Sequence, residues 1–429
     1  MFTHTPARPA AHVAFPAVLP LREQSEVIER LLRIRLDRLL PRMMKETGFD
    51  MWLIICNEDN HDPVFNTLIP FDTWAPITQI LVFSLNPDGS VRRLNVSLTN
   101  LHGIYEDRWN LNEPEDQWAR LKRIVKECAP KKIGINESEA IWAADGLSST
   151  LNRKLVSALG ARYAGRLVSA ESLCIRWLEA VVEEELEVYE RTVALCHRII
   201  AETYSTGVIT PGVTTTEDLR WHFWQRVSDL GLTCSFTPFF GIQRSEEMKQ
   251  RFDPADRVIR HGDVIHCDVG LVYLRLISDL QEMAYVPRPG ESDAPQGLKN
   301  ALKMANRLQD ILTAEMKQGL TGNEILNRAL RKANQEKLSN PKIYTHSIGH
   351  FLHEPGPLIG LPWEQKDCGA RGEVVLNYDS CFSIELGVRC PIPEWNGQIA
   401  GVSIEQDAAF TKEGIHYLDG RQTAFHLIG

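Results

Sequence analysis

Three histidines and a glutamate lie within nine positions of the stretch YTHSIGHFLHEPG, which spans residues 344–356. In order, they are His346, His350, His353 and Glu354. A neutral imidazole is a good ligand for a transition metal and a good general acid or base. The pattern is not the H-E-x-x-H of zinc proteases, and its glycine and proline argue against one long helix. The cluster is therefore either structural or part of a site whose other members lie elsewhere in the chain.

Two aspartates in the segment HGDVIHCDVGLVYLRLISDLQEMAYV, residues 261–286, are the first candidate partners. The segment alternates well enough to predict one β-hairpin, with Asp268 in its first strand and Asp279 in its second, a strand that also includes residues 273–277. Burying two anions side by side is costly unless a cation compensates them. A metal ion would supply that cation. Alternatively, both aspartates face solvent without a metal, because the opposite face of the hairpin can pack against the core by itself.

Two glutamates follow in apolar runs, Glu385 in SCFSIELGV and Glu405 in AGVSIEQDAAFT. Each alone could be an outward residue on an edge strand. Together with the aspartates and one histidine they form a candidate set of five metal ligands: Asp268, Asp279, His346, Glu385 and Glu405. Four carboxylates and an imidazole can hold two divalent ions about 3.5–4 Å apart. Ligation that is mostly by oxygen favours Mn, Fe or Co over a structural zinc site rich in sulfur.

The composition argues against several classes of protein. The chain has 429 residues, of which 43% are hydrophobic and 24% charged, which is ordinary for a globular protein of two or three domains. A net charge of −9 argues against a general nucleic-acid binder. We expect no membrane segment, since no apolar run approaches the roughly 18–20 residues of a span. Nine scattered cysteines without a C-x-x-C pair predict reduced thiols, so we expect a cytoplasmic protein.

The first part of the chain predicts a small α/β domain. The Ala/Pro-rich start, residues 1–20, lacks the features of a signal peptide and predicts a flexible arm. Residues 21–177 alternate helical patterns, at 22–47 and about 115–128, with short apolar strands such as MWLIICNE. Such alternation favours a mostly buried sheet covered by helices. We find no phosphate-binding loop in this part.

The second domain carries all five candidate ligands. The residue pattern changes near position 175, where a long amphipathic helix is predicted to begin, and we place the domain boundary at 172–180. Residues 178–429 then alternate helices with short strands and turns, and one further helical segment is predicted at about 294–337. The ligands fall in the predicted strands and in the histidine-rich loop.

The order and spacing of the five ligands resemble those of a known family. Asp-x10-Asp, then His-x6-His, then a glutamate on each of two late strands is similar to the pita-bread metallopeptidases of family M24. These include the methionine aminopeptidases, aminopeptidase P and prolidase. GDVIHCDVG resembles the family's strand around the first aspartate, HSIGHFLHE its H-x-x-G-x-x-x-H-[ED] loop, FSIELG its E-P-G strand, and TPGVTTTEDL the start of its second helix.

This resemblance covers roughly residues 178–429. A preceding α/β domain suits the aminopeptidase P, prolidase and creatinase branch. The resemblance implies an α+β chain, in which a C-terminal pita-bread domain (178–429) follows a smaller creatinase-like α/β domain (21–177).

The resemblance also implies roles for the residues. Asp268 would bind one metal, Asp279 and Glu405 would bridge two, and His346 would bind the other together with Glu385. A hydroxide that bridges the metals would be the nucleophile, with Glu385 as proton shuttle. His353 would donate a hydrogen bond to the substrate carbonyl or to the developing oxyanion. Two divalent ions are implied, from among Mn, Co, Fe and Zn, and Mn is favoured.

The sequence departs from the family pattern in four places. Arg251 stands where the family usually has a histidine, seventeen residues before the first metal aspartate. Gln281 and Glu282 replace the last two residues of D-x-T-R, and Leu386 replaces the proline of E-P-G. Ser403 stands where a basic residue often precedes the last glutamate. None of these changes removes a ligand, but they leave proline specificity open.

Three residues are candidates for substrate binding. Arg251 could clamp a substrate carboxylate with its planar fork. Arg371, fourteen residues before Glu385, stands where prolidases often carry a carboxylate-binding arginine. A solvated surface role is an equal alternative for either arginine. His350 completes the set as a neighbour of the two functional histidines. If one arginine faces the pocket, a dipeptide or a small acyl-amino acid fits better than a long peptide.

The function predicted first is a dinuclear metal-dependent hydrolase that cleaves Xaa-Pro dipeptides or the N-terminal residue of peptides. One alternative is a non-peptidase amide hydrolase or lyase of the same fold that acts on small molecules. Another is a non-catalytic binding protein, against which the intact ligand set argues, because buried carboxylates are costly without a metal. We expect a small peptide or amino-acid-derived substrate, no nucleic-acid or membrane partner, and a homodimer, since relatives are often dimers.

Overall fold

Residues 18–429 are described by a computed structural model, and they divide into two units, Leu19–Val182 and Glu183–Gly429. The arm predicted at residues 1–20 lies outside the described residues up to residue 17. The units divide a few residues after the predicted boundary of 172–180, because the helix Glu171–Glu179 belongs to the first unit. Among residues 18–429, no helix is both long enough and apolar enough to cross a bilayer.

The first unit is a mixed sheet with helices. Its helices are α1 (Leu21–Thr47), α2 (Gln117–Cys128), α3 (Ser149–Leu159), α4 (Ala161–Ala164) and α5 (Glu171–Glu179). Its strands are β1 (Met51–Asn57), β2 (Thr78–Leu85), β3 (Val91–Asn95), β4 (Glu106–Asp107), β5 (Ile133–Ile135) and β6 (Leu167–Ser169). They form one six-stranded sheet in the order β4-β3-β2-β1-β5-β6.

Local sequence explains the main elements of this unit. The β1 sequence MWLIICN is buried along nearly its whole length, as a central strand requires. Helix α1 ends at Gly48, whose φ of 71° is the left-handed conformation that glycine adopts without strain. Helix α2 begins after Asp116, whose carboxylate accepts hydrogen bonds from the backbone N–H groups of Trp118 and Ala119. The predicted α/β character of this unit is therefore observed.

The second unit is built around a larger, nine-stranded sheet. Its helices are α6 (Glu183–Thr203), α7 (Thr216–Asp229), α8 (Glu246–Lys249), α9 (Gln296–Glu315), α10 (Gly322–Gln335) and α11 (Gly369–Gly372). Its strands are β7 (Thr233–Cys234), β8 (Phe239–Gln243), β9 (Val264–Val269), β10 (Leu271–Tyr273), β11 (Leu276–Ile277), β12 (Leu280–Tyr285), β13 (Lys342–Ile343), β14 (His346–Ser347), β15 (Ser380–Ile392), β16 (Gln398–Thr411), β17 (Gly414–Tyr417) and β18 (His426–Leu427).

Nine of these strands form one sheet with the path β13-β15-β16-β12-β9-β8, and β14, β17 and β18 pair at its margins. The long strands β15 and β16 pair antiparallel over their full length, from Ser380 opposite Phe410 to Ile392 opposite Gln398. One face of the sheet packs against α9 and α10 through a continuous apolar core. The other face is left to carry polar side chains.

The structure corrects two predictions about elements. The hairpin predicted over 261–286 pairs β9 with β12, so its second strand is Leu280–Tyr285 rather than residues 273–279. The residues between form a separate small hairpin, β10–β11, in a three-stranded sheet with β7. The single helical segment predicted at 294–337 is two helices, because Thr321 caps a new helix start in a reciprocal pair with Glu324.

Candidate active site

Strand pairing brings the five predicted ligands to one place on the polar face of the large sheet. Asp268 lies on β9 and Glu405 on β16, and both stand opposite Gln281 of the intervening strand β12. Glu385 of β15 stands directly opposite Glu405. Because side chains alternate along a strand, each ligand reaches this face only in the observed register.

The remaining two ligands close the group. Asp279 immediately precedes β12, and His346 opens β14. The Nε2 atom of His346 lies 3.6 Å from Asp279 Oδ2 and 3.6 Å from Glu405 Oε1. One ligand atom from each of these three residues lies within 4.8 Å of the others, and all three side chains are buried. This is a cluster of the size that a metal ion requires.

Burial and repulsion between like charges raise the pKa values of three carboxyl groups of the site, those of Asp268, Asp279 and Glu385. Burial, and then the charge of Glu405, raises the pKa of Asp268 to about 8. The same two causes raise the pKa values of Asp279 and Glu385 well above their usual range. Burial alone would lower the pKa of His346, but the adjoining Glu405 carboxylate raises it. The group therefore resists full ionisation unless a cation is added.

The donor set fits divalent cations. Asp279 Oδ1 and Glu405 Oε2 are buried and accept no hydrogen bond from any residue of the described chain, 18–429. Buried carboxylate oxygens without donors are rare because each costs free energy. A hard cation bound between them would satisfy both oxygens and offset the repulsion among the four carboxylates. The same five residues are those predicted from the sequence to bind metal.

His353 stands beside this cluster. Its ring packs nearly perpendicular to that of His346, with the ring centroids 4.6 Å apart. It is the exposed member of the group. Partial loss of water, and then the charges of His346 and Arg371, lowers the pKa of His353 to about 4. At neutral pH the ring is therefore neutral, with one N–H to donate and one nitrogen to accept.

The loop that carries His350 is held by Glu354. The buried Glu354 carboxylate accepts hydrogen bonds from the backbone N–H groups of His350, at 2.7 Å, and Phe351, at 3.1 Å. The His350 ring lies with Nδ1 3.2 Å from the carbonyl oxygen of Arg275 and Nε2 3.6 Å from Glu185 Oε1. These contacts involve none of the five ligands, and the substrate-binding role of His350 stays a prediction.

The two predicted substrate-binding arginines have different surroundings. Arg371 is partly buried, donates from Nη2 to the carbonyl oxygen of Glu354 at 3.1 Å, and acts electrostatically on His353. Burial lowers the pKa of Arg371. The side chain of Arg251 is 61% exposed and forms an ion pair with Glu247, four residues earlier. Arg371 is thus near the site, whereas Arg251 lies in a surface ion pair, and the role of each in binding stays a prediction.

Four further residues of the site were not predicted as members of it. Each lies two positions from a predicted ligand: His266, Gln281, Tyr344 and Asp407. Strand alternation alone places a residue at i±2 on the same face as its neighbour. This signal could have found His266, Gln281 and Asp407, which lie in strands, but not Tyr344, which lies between β13 and β14.

These neighbours make specific contacts. Gln281 donates from Nε2 to Glu385 Oε1 at 2.5 Å, and its Oε1 lies 2.8 Å from His266 Nε2. The hydroxyl of Tyr344 lies 3.4 Å from that of Ser403. The carboxylate of Asp407 accepts a hydrogen bond from the backbone N–H of Asp279 at 3.1 Å. Glu385 and Asp279 are thus each held by a polar neighbour.

Comparisons with known proteins identify the family of the chain. The sequence model of metallopeptidase family M24 matches residues 187–412, a little over half of the chain. The chain is 25% identical over 162 residues to an uncharacterized peptidase, YqhT, of Bacillus subtilis (strain 168). That match covers 37% of this chain and spans 40% of the length of YqhT.

Solved structures share the fold over nearly the whole chain. An X-Pro aminopeptidase from Thermotoga maritima superposes with a TM-score of 0.62 at 19% identity, over 90% of this chain and 99% of that one. The N-terminal domain of the FACT complex subunit SPT16 from chickpea (Cicer arietinum) superposes with a TM-score of 0.55 at 12% identity, over 94% and 99%. At these identities the likeness shows the fold alone, and function has to be argued from the site.

Proposed function

The chain belongs to metallopeptidase family M24, and from that premise we propose that it is a metal-dependent peptidase. Its substrates would be Xaa-Pro dipeptides or peptides that lose their N-terminal residue. The observation that carries this proposal is the convergence of Asp268, Asp279, His346, Glu385 and Glu405, with two buried oxygens that lack donors among residues 18–429. Two divalent ions bound by these residues, with manganese favoured, would supply Lewis acidity and an activated water.

The residues around the cluster have distinct roles in the proposed reaction. The neutral ring of His353 would donate its N–H to the substrate carbonyl as negative charge develops on that oxygen. Glu385 would hold and pass the proton that the attacking water loses and the departing amine gains. Arg371, which is close enough to His353 to lower its pKa, would receive the substrate carboxylate. A binding site for the substrate's carboxylate so close to His353 would favour dipeptides over longer peptides.

Metal analysis with a peptidase assay tests the proposal. The purified protein is analysed for bound metal, supplied with Mn²⁺ or Co²⁺, and assayed on Ala-Pro, Met-Pro and a longer Xaa-Pro peptide. We expect release of the N-terminal residue that EDTA abolishes. Cleavage of the dipeptides alone would identify a dipeptidase. Two bound ions without cleavage of any peptide would contradict the peptidase proposal.

Variants separate the ligands from the catalytic helper. Asp268→Ala and His346→Ala should lose metal and activity together. His353→Ala should keep its metal and lose about 10²–10³-fold in kcat, the usual cost of one oxyanion donor. His416→Ala is the matched control, because that histidine is 61% exposed and pairs with Glu190 at the surface. Full activity of Asp268→Ala in EDTA would contradict the metal mechanism.

Arg371 has a test of its own. Arg371→Met should raise the KM for free dipeptides far more than for carboxyl-amidated ones, because only the free substrates carry the anion. An equal effect on both would remove Arg371 from this role. Arg251→Met in the same assay tests the second candidate, which its exposed ion pair supports less well.

A second candidate function is an amide hydrolase or lyase that acts on small molecules with the same metal ligands. It is favoured by Ser403, which faces the Tyr344 hydroxyl at a position where the peptidase branch often has a basic residue. A third candidate is a non-catalytic binding protein, and absence of metal under every condition would support it.

We further propose that the protein is a cytoplasmic homodimer. The location is supported by the nine cysteines, all of which are unpaired. The dimer is proposed from the family resemblance alone. Light scattering after size-exclusion chromatography tests it, and a monomer mass would contradict it.

A further inference from the structure

A glutamine and a histidine that the proposed reaction does not use form a chain of hydrogen bonds to Glu385. Gln281 is 3% exposed and lies on the central strand β12. It donates from Nε2 to Glu385 Oε1 at 2.5 Å, and its Oε1 lies 2.8 Å from Nε2 of His266. The chain is therefore His266 to Gln281 to Glu385.

The chemistry of the amide gives this chain a direction. One end of a glutamine side chain can only donate and the other can only accept. Because Nε2 of Gln281 donates to the carboxylate, its Oε1 must accept from His266. The imidazole then carries its proton on Nε2. The orientation follows from the hydrogen-bond network as a whole.

Packing holds both members in place. Gln281 stands opposite Asp268 on one neighbouring strand and opposite Glu405 on the other, so its side chain rises between two ligands. His266 precedes Asp268 by two residues on the same face of β9. The ring of Phe239, on the adjacent strand β8, contacts the His266 ring with centroids 6.3 Å apart. The amide is thus held by hydrogen bonds to side chains of β9 and β15, and the His266 ring is packed against β8.

We propose that Gln281 and His266 are positioning residues for Glu385. The amide occupies Oε1 of that carboxylate and would leave Oε2 available to a cation, and the hydrogen bond to His266 would keep the amide from rotating. The inference rests on the proposed function, because it concerns the same metal site. Residues that orient a metal ligand in this way commonly account for 10–100-fold in metal affinity.

Titration of the metal-free protein with Mn²⁺ by isothermal calorimetry tests the proposal. Gln281→Leu, which is similar in size but forms no side-chain hydrogen bonds, should weaken the binding of one Mn²⁺ ion by about 10–100-fold. His266→Phe should weaken it in the same direction, whereas His266→Gln, which still offers an N–H, should restore affinity to within a few-fold of wild type. Gln309→Leu is the matched control, because Gln309 is a fully buried glutamine that donates to Gln406 Oε1 and to the carbonyl oxygen of Ile384, and forms no hydrogen bond with a ligand side chain among residues 18–429. It should lower the melting temperature and leave the affinity for Mn²⁺ unchanged.

A second readout requires neither metal nor activity. In ¹⁵N NMR of the metal-free wild type, neutral His266 should show the Nε2–H tautomer, and Gln281→Leu should shift it toward Nδ1–H. An Nδ1–H tautomer in wild type would overturn the proposal. Unchanged Mn²⁺ affinity in Gln281→Leu would overturn it while the proposed function stood. No binding of Mn²⁺ by wild type would overturn both.

Discussion

Neutralising Asp279 should stabilise the metal-free protein and remove its response to metal. The side chain is 5% exposed, its Oδ1 has no donor within residues 18–429, and Glu405, Asp268 and Asp407 add like charge. Burial and these charges raise its pKa well above the usual range. At pH 7 the folded state must therefore either bury this charge or take up a proton, and both cost stability. Asp279→Asn removes that cost.

The expected size follows from the buried oxygen that lacks a donor. An unsatisfied buried polar group costs about 1–3 kcal/mol. In a unit of this size each kcal/mol changes the melting temperature by roughly 2–4 °C. In EDTA, Asp279→Asn should therefore melt about 2–12 °C above wild type. With Mn²⁺ at about 100 times its Kd, wild type should gain about 2.7 kcal/mol, and the variant should gain little.

Differential scanning calorimetry with and without Mn²⁺ measures both effects. Asp256→Asn is the matched control in the same unit, because its carboxylate lies 3.1 Å from Arg244 Nη1 and 3.0 Å from Arg260 Nε. Burial would raise the pKa of Asp256, but the hydrogen bonds it accepts lower it. Its neutralisation should therefore lower the melting temperature in both conditions. The reasoning is refuted if Asp279→Asn melts at or below wild type in EDTA. An equal gain from Mn²⁺ in both proteins would show that Asp279 is not a ligand.

Three further predictions concern stability away from the site. Burial raises the pKa of Asp62, in the first unit, to about 6, so the free energy of unfolding should fall by about 3 kcal/mol as pH rises from about 4 through 6. Urea unfolding of wild type and of Asp62→Asn across this pH range measures the effect. The same pH dependence in both proteins would contradict it. A Cβ at Gly146 would lie 2.2 Å from the Asp62 carboxylate, so Gly146→Ala should destabilise that unit by about 1–3 kcal/mol in urea, and unchanged stability would be inconsistent with this packing. Lys337 follows α10 at a φ of 58°, a left-handed conformation that glycine adopts more easily, so Lys337→Gly should stabilise the protein by about 0.5–1 kcal/mol. Lys332→Gly, inside the helix, should destabilise it by a similar amount. A change of melting temperature in the same direction for both variants would refute the argument.

Much of the site could be predicted because period-two alternation and the cost of buried charge act on each residue locally. Asp268, Glu385 and Glu405 were each conspicuous as a carboxylate in an apolar strand, and the structure gathers them. The motif identifies Gln281 only as a departure from D-x-T-R, whereas its position two residues after Asp279 predicts that it lies on the same face.

Other features could not be predicted in this way, because they depend on pairing between distant segments. Strand β12 begins at Leu280 since its partners are β9 and β16, and the short hairpin before it pairs elsewhere. Arg251 differs, because it follows Glu247 by four residues, a spacing that favours a local ion pair at the surface. For this residue the local spacing predicts the surroundings better than the position in the family motif does.

The cost of the ligand cluster is also what separates an enzyme from a binding protein on this fold. A domain that needs only the shape of the sheet would gain stability by replacing Asp279 or Glu405 with neutral residues, because each buries an oxygen without a donor in residues 18–429. This chain instead surrounds its carboxylates with further polar groups, and Gln281 donates to one of them. Such hydrogen bonds orient a carboxylate without neutralising it, so they lower the cost of the cluster only in part. The remaining negative charge is available to bind cations, as a metallopeptidase requires. A purely structural domain could lose this charge without losing its function.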